Sequence, residues 1–382
     1  MSLLARAWAP SNIAYVKYMG KRPVPQAASA AVAAPFSTIG ANIPENPSLS
    51  MTLDRLRTYV EIDLDGSAPA RWVPELPHAA VGPREAAQAA GALAAAVPAL
   101  SEKGQARFIA HLERVRAALP RLFAPLGLEL QDRGTQGLVI RTANTFPAAS
   151  GIASSASSFA ALTLATAAAF ARDMDAFRRA LADPSARLRR ALAEIARQGS
   201  GSSCRSLEGP FVVWEGERAE AVAARGPGGA QLKFAHFVVL ADAGEKAVSS
   251  SDAHRLVKSS PLWAGRPERA AERVARVRAQ LAQGDWSSLS RVVWSEMWEM
   301  HSLFHTAESP FSYFVPDTVR VLRALERELG RERPPVVTLD AGPNIHVTVD
   351  ARDRDEWGAY FTKNFPQLQV LEDKPGSGAE LL

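Results

Sequence analysis

The sequence predicts an α+β fold in two domains, and three observations carry that prediction. The chain has 382 residues, and at roughly 100–200 residues per domain that favours two domains over one or three. Strand-like and helix-like segments follow one another in no regular βαβ order, which points to layered sheets and helices. Gly and Pro cluster at Arg225–Gly229 (RGPGG) between periodic segments, the best linker in the chain. We therefore divide the chain into domains of residues 1–228 and 229–382.

The elements follow from local pattern. Leu3–Pro10 reads as a strand, and Ser48–Leu53 and Thr58–Leu64 alternate well enough to be two more. Asp65-Gly66 closes that stretch as a turn. Pro23–Ala41 is Ala-, Pro- and Ser-rich with almost no charge and reads as an irregular insertion. Helices are expected near Arg84–Val97 and Glu102–Leu119, with Pro120 ending the second. Leu138–Thr142 is a buried strand, Ser154–Arg172 an Ala-rich helix, Ser185–Arg197 a helix with Leu188, Leu192 and Ile195 on one face, and Pro210–Trp214 a strand. Beyond the linker, Leu232–Ala241 is a strongly apolar strand. Helices then run over Glu268–Gln283, Trp286–Thr306 and Asp317–Gly330. Strands at Val336–Leu339 and Ile345–Val349 flank a tight turn.

Composition narrows the function. Hydrophobic residues at 47% and charged residues at 22% are ordinary for a globular protein and exclude a disordered chain. The net charge of +4 is too small and scattered to argue for nucleic acid, whereas a small anionic substrate fits. The Arg266–Arg278 stretch, interleaved with Ala, Glu and Val, reads as a solvated helix face. One cysteine, Cys204, excludes an internal disulfide or a Cys-based zinc site and suits a reducing cytoplasm. No apolar run reaches the ~20 residues of a membrane span, and MSLLARAWAPSN shows no secretion signal.

Three segments carry chemistry. Phe146–Ser157 (FPAASGIASSAS) joins a strand to a helix. Its small residues let a ligand approach, and the helix start offers unpaired N–H groups to an anion. The purely structural reading, a Ser-capped Ala-rich helix, is the commoner one for such a pattern. Gly199–Leu207 (GSGSSCRSL) surrounds one arginine with small donors; Arg205 reads either as a bidentate grip on a carboxylate or, more commonly for such a stretch, as a surface arginine in a flexible loop. Cys204 beside it reads as a small buried filler. Thr338–Asn344 (TLDAGPN) reads either as a plain strand-ending turn with Asp, Gly and Pro in favoured places or as a turn that points Asp340 into a cleft as a base or charge orienter. His301 and His305 share a helix face but lack the HExxH company of a zinc site, so a structural or substrate-lining role is expected. The tryptophans at 286, 294 and 298 keep helical spacing and read as core.

The order and company of these segments say more than any one of them. NIAYVKYMGKR, NIPENPSLSMTL, FPAASGIASSAS, GSGSSCRSLEGPFVVW and TLDAGPN, with KAVSSSDAHRLVKSSPL and HSLFHTAESPFSYF between them, closely resemble the diphosphomevalonate decarboxylase family of the GHMP kinase superfamily. The likeness runs from about residue 5 to residue 350. It implies a two-domain α+β fold with the active site in the cleft between domains. It also implies ATP with Mg²⁺, and (R)-5-diphosphomevalonate as substrate. The products would be isopentenyl diphosphate, CO₂, ADP and phosphate.

The resemblance assigns roles only where this sequence matches. Asp340 matches the aspartate that acts on the tertiary 3-hydroxyl, Lys17 the lysine beside it, and Arg205 the arginine that binds the substrate carboxylate. Gly151, Ser154, Ser155 and Ser157 fall in the ATP phosphate loop. Asn12, Tyr18, Lys21, Ser202 and Ser203 line up with substrate contacts. No separate protein metal site is implied. The sequence departs in three places. Met19 stands where the family has tryptophan, Pro23–Ala41 is inserted, and Arg71 is the nearest counterpart of the arginine that meets the diphosphate. Two further readings of the same fold are a decarboxylase of 5-phosphomevalonate and a kinase that stops at the 3-phosphate. A non-catalytic binding protein is a third. A cytoplasmic homodimer is the expected form.

Overall fold

The structure, a computed structural model, describes residues 2–23, 42–78, 95–146, 154–226, 229–242, 244 and 247–382. The insertion after Pro23, most of the helix expected near Arg84–Val97, and Gly151 lie outside the described residues.

Two sheets organise the chain. The first has seven strands, in the order β11-β1-β2-β4-β3, with β5 and β6 branching from β2. Its strands are β1 (Ser2–Val16), β2 (Ser48–Leu64), β3 (Arg71–Trp72), β4 (Leu138–Asn144), β5 (Phe211–Glu215), β6 (Arg218–Val222) and β11 (Glu380–Leu381). The two strands expected at 48–53 and 58–64 are one. Register shifts between Leu3 and Ala5, Pro10 and Asn12, and Ala14 and Val16 let β1 bend along it. Because β2 is so long, Ser48–Met51 pairs with β5 while Thr58–Leu64 pairs with β4. The second sheet is antiparallel, in the order β10-β7-β9-β8, from β7 (Phe234–Leu240), β8 (Val336–Thr338), β9 (Ile345–Asp350) and β10 (Gln369–Asp373).

Helices α1 (Glu102–Phe123), α2 (Ser154–Ala169), α3 (Met174–Ala182) and α4 (Arg187–Gly199) belong with the first sheet. Every residue of α2 from Ala156 on is buried, as expected of a helix apolar on all sides. Pro120 does not end α1. It sits in the last turn and gives up its own backbone N–H bond there, while Leu122 and Phe123 beyond it are buried and hold the turn in place. The second sheet is flanked by α5 (Ser250–Leu256), α6 (Arg266–Gln283), α7 (Trp286–His305), α8 (Pro316–Glu326) and α9 (Arg354–Asn364). Asp285 caps α7, its side chain accepting from the Ser288 N–H at 3.0 Å.

Alternation along β7 and β9 decides how the halves join. Ala235, Phe237, Val239, Ile345, Val347 and Val349 face Trp357 and Phe361 of α9. Phe234, Val238 and Leu240 face the other way, into a core shared with Ile13, Tyr15, Leu49, Met51 and Phe211 of the first sheet and with one side of α6 and α7. The Tyr15 hydroxyl donates to Thr348 Oγ1 at 2.9 Å across that seam. The two sheets thus share one interior. Among the described residues, no helix is long and apolar enough to cross a membrane.

Candidate active site

The site forms where the end of β1 meets the end of β8. The Thr338 hydroxyl donates to the Ala14 carbonyl at 3.3 Å and aligns the two strands. Each chain then leaves its sheet, β1 at Lys17 and β8 at Asp340. The turn after β8 is fixed by Asn344, whose Oδ1 accepts the N–H groups of Ala241 and Asp242 at 2.7 and 3.1 Å. Lys17 Nζ donates to Asp340 Oδ1 at 2.7 Å. The lysine side chain is 2% exposed and the aspartate 25%, so the carboxylate faces the opening.

Arg205 joins them from a 3₁₀ turn over Gly201–Ser206 that follows α4. It is buried, donates to Ser48 Oγ, and reaches Asn12 Oδ1 at 3.4 Å. Asn12 Nδ2 in turn donates to Ser206 Oγ at 2.8 Å and to the Ser202 carbonyl at 3.3 Å. The Ser203 hydroxyl donates to the Ser200 carbonyl at 2.6 Å, so it braces the turn from within. Gly201 is needed here, because a Cβ would stand 2.9 Å from the Tyr18 ring and 3.1 Å from Trp214. Cys204 is buried, and burial pushes its thiol up to about 12, which makes it inert.

Tyr18 packs against Trp214 and His254, with ring centroids 4.5 and 4.2 Å apart. Its hydroxyl is buried with no partner among the described residues. His254 is pushed down to about 3 by burial and by Lys21 and Arg205, so it is neutral; its Nδ1 accepts the Gly20 N–H at 3.2 Å. Lys21 Nζ donates to Asn42 Oδ1 at 2.8 Å, and Asn42 holds the carbonyl of Arg197 at the C-terminal end of α4. Arg107, from α1, donates to the Gly199 carbonyl at 3.2 Å at the same helix end and bears electrostatically on Lys21.

The serine helix start lies beside this turn. Ser155 Oγ is 3.1 Å from Ser200 Oγ. Ser154 is half-buried, and the first turn of α2 carries no acidic side chain to compete with an anion. Ser157 points inward instead, with its hydroxyl 2.7 Å from Thr58 Oγ1 in the sheet. Arg71 is not part of the cluster. It pairs with Val139, which lies opposite Asp63, which lies opposite Leu3, and its guanidinium donates to Asp65 at 2.9 Å. That places it at the other end of β1 from Lys17.

Several residues of the site were not singled out by sequence. Ser48 holds Arg205, and Asn46 accepts the Met19 N–H at 3.3 Å while donating to the Lys17 carbonyl at 2.9 Å. The NIPENPSLS segment marked their neighbourhood but not their roles. Arg266 and Glu296 hold the Lys17 main chain, and Arg266, expected on a solvated face, is fully buried. His301 is buried next to Asp340 and Lys17, and burial pushes it down to about 3; His305 is exposed. Trp286 is buried, whereas Trp298 is 38% exposed.

Electrostatics follow from burial. Desolvation pushes the Lys17 ammonium below the ordinary lysine range; Asp340 and Glu296 pull it back and Arg205 opposes them. Arg205 also loses proton affinity to burial, with Cys204 and Asp340 among the groups that restore it. A guanidinium stays charged under such shifts. The arrangement therefore sets two buried cations around one carboxylate, with an orphan phenol and a helix start alongside. That suits an anionic, hydroxyl-bearing ligand and a phosphate donor. Among the described residues, the one cluster close enough to hold a metal ion is Glu61, Asp63 and His78, and Arg6 and Arg141 already pair with its carboxylates. An ion at the site itself would rest mainly on phosphate oxygens, as Mg²⁺ does with nucleotides.

Known proteins share this arrangement of sequence and fold. Residues 96–224 match the diphosphomevalonate decarboxylase-like N-terminal domain, and residues 236–378 match the mevalonate 5-diphosphate decarboxylase C-terminal domain. The chain is 30% identical to a diphosphomevalonate decarboxylase of Aspergillus fumigatus, over 92% of this chain and 78% of that protein. It is 32% identical to the crystal structure of a mevalonate diphosphate decarboxylase from Legionella pneumophila, with a TM-score of 0.69, over 96% of this chain and 99% of that one. A structure described as MDDEF in complex with MVAPP, AMPPCP and magnesium aligns at 25% identity and a TM-score of 0.73, over 100% of this chain and 99% of that one.

Proposed function

The chain belongs to the diphosphomevalonate decarboxylase family, and from that premise we propose that it converts (R)-5-diphosphomevalonate and ATP to isopentenyl diphosphate, CO₂, ADP and phosphate. The observation that carries this reading is the meeting of Lys17, Asp340 and Arg205 beside a serine-rich helix start.

Each residue has a task that its surroundings suit. Asp340 orients the tertiary hydroxyl and takes its proton as the oxygen receives the γ-phosphoryl group; Lys17 donates to that carboxylate and holds it in place. Arg205 holds the substrate carboxylate. When the new phosphate leaves with the C–O electron pair, the bond to the carboxylate supplies the electrons of the double bond and CO₂ departs. Burial of the site favours that charge-dispersed transition state. Each cation about 4 Å from an anionic group contributes on the order of 4 kcal/mol gross at an effective dielectric near 20. Asn12, Ser202 and Ser203 shape the Arg205 turn, and Tyr18 offers its free hydroxyl to the substrate. Ser154 and Ser155 face the nucleotide phosphates. Ser157 supports the helix from beneath. Mg²⁺, held mainly by the nucleotide's phosphate oxygens, would neutralise phosphate charge.

Lys21 and Arg107 stand together at the end of α4 and are our assignment for the terminal phosphate groups of the substrate, in place of Arg71. We draw the domain division near residue 228, supported by the change of sheet between β6 and β7, with β11 returning to the first sheet. A cytoplasmic homodimer is the form we assign.

One assay tests the reading. The protein is incubated with Mg-ATP and either 5-diphosphomevalonate or 5-phosphomevalonate, and ADP and CO₂ are followed together. Equal release of both from the diphosphate is expected. CO₂ from the monophosphate alone would transfer the activity to that substrate, ADP without CO₂ would make the protein a kinase, and neither product would make it a binding protein.

A further inference from the structure

The main chain of Lys17 is gripped on both sides by a buried ion pair. Glu296, on α7, accepts the Lys17 N–H on Oε1 at 2.9 Å. Arg266, in the first turn of α6, donates from Nη2 to the Lys17 carbonyl at 3.3 Å. Both side chains are 0% exposed. They bond to each other, Arg266 Nη1 reaching Glu296 Oε2 at 2.8 Å, and Arg273 Nη1 adds a contact at 2.7 Å. A buried ion pair is weak evidence for stability, because apolar residues of similar volume often serve as well. This one supplies something apolar residues would not: an acceptor and a donor for a peptide that has left its strand. It also comes from the second domain, while Lys17 ends the first strand of the other sheet.

We propose that Glu296 and Arg266 are positioning residues for Lys17, fixing where its ammonium stands against Asp340 and keeping it charged there. The inference rests on the catalytic assignment of Lys17. Several groups face or bear on that ammonium. Asp340 comes from the turn after β8, Arg205 from the 3₁₀ turn, Glu296 and His301 from α7, and His346 from β9; Arg266 faces the Lys17 carbonyl. Of the carboxylates, Asp340 does the chemistry, so Glu296 is the one whose charge can be altered separately.

Three variants test this. E296D keeps the charge but draws the carboxylate back from the Lys17 N–H. E296Q keeps an acceptor but removes the charge. The double variant E296M/R266M removes both contacts of the ion pair, leaving Asn46 on the Lys17 carbonyl, and leaves no lone buried charge, so it should fold even if E296Q does not. E296D should lower kcat about tenfold with both KM values within twofold and the basic limb of the pH profile unmoved. E296Q should also move that limb about one unit toward acid, because the ammonium loses a stabilising neighbour. The double variant should lower kcat by at least thirtyfold. Folded variants with wild-type kcat and pH profile would overturn the proposal, as would losses confined to melting temperature. A ¹³Cε titration of Lys17 reads the same effect without turnover. Its midpoint should fall in E296Q, and an unmoved midpoint refutes the proposal even if wild type releases no CO₂, which would instead refute the proposed reaction.

Discussion

Lys17 and Asp340 lie 323 positions apart in the chain and close an ion pair of 2.7 Å. The pair is asymmetric. The cation is sealed inside while the carboxylate is left a quarter exposed at the cleft. The buried ammonium fixes the carboxylate in place while its accessible oxygen is left free to orient a substrate hydroxyl.

Removing the charge of Asp340 tests that role. Asp340→Asn should lower kcat by about 10³-fold while nucleotide affinity stays within threefold, since the asparagine keeps the shape but leaves Lys17 without its counter-ion. Turnover by CO₂ release and nucleotide titration are the two measurements, and near-normal turnover would remove Asp340 from the mechanism.

Arg205 should separate the two halves of the reaction. Arg205→Ala loses its bonds to Ser48 and Asn12 and its reach to the substrate carboxylate. We expect CO₂ release to fall by about 10²-fold and to lag behind ADP release, with Arg205→Lys intermediate because it keeps charge without the fork. A change in nucleotide affinity alone would show that the arginine does not hold the carboxylate.

Lys21 and Arg107 should affect KM for the diphosphate substrate. Lys21→Ala is expected to raise it about tenfold and Arg107→Ala, an exposed cation, by roughly threefold, with nucleotide KM unchanged. The monophosphate should respond less to both. Equal effects on the two substrates would place the terminal phosphate elsewhere.

Asp373 predicts how stability changes with pH. Burial pushes its carboxyl up to about 6 although it accepts the N–H groups of Arg55, Leu56 and Lys374. A carboxyl raised on folding adds stability below its unfolded value, near 3.8, and loses it as pH climbs through about 6. Asp373→Asn should therefore gain relative to wild type between pH 3.5 and 7.5, by about 3 kcal/mol at most. Denaturant titrations at both pH values give the comparison; a pH-independent difference would refute it.

Sequence carried the site further than it carried the fold's joints. Small residues and turn chemistry marked the segments of Arg205 and Asp340, but such patterns are permissive taken singly, and Lys17 was reached only through the order and company of all the segments together. Pro120 misled because a proline's effect depends on where the helix end is anchored, and Leu122 and Phe123 anchor it past that point. Arg266 misled because its spacing matches a solvated face, while its burial depends on Glu296, on the next helix. Arg71 was chosen by sequence proximity alone. Strand register, which sequence does not display, sends it to the opposite end of β1. The helices α3 and α9 were missed as short segments in polar surroundings.

The Tyr15 to Thr348 bond and the apolar interior around it have a consequence for how ligands come and go. A clamshell motion would have to tear that interior open along its whole length, at a cost far above ordinary thermal fluctuation. Substrate and products must therefore pass in and out with the floor of the cleft rigid, and turnover should be insensitive to anything that merely stiffens the junction between the two halves.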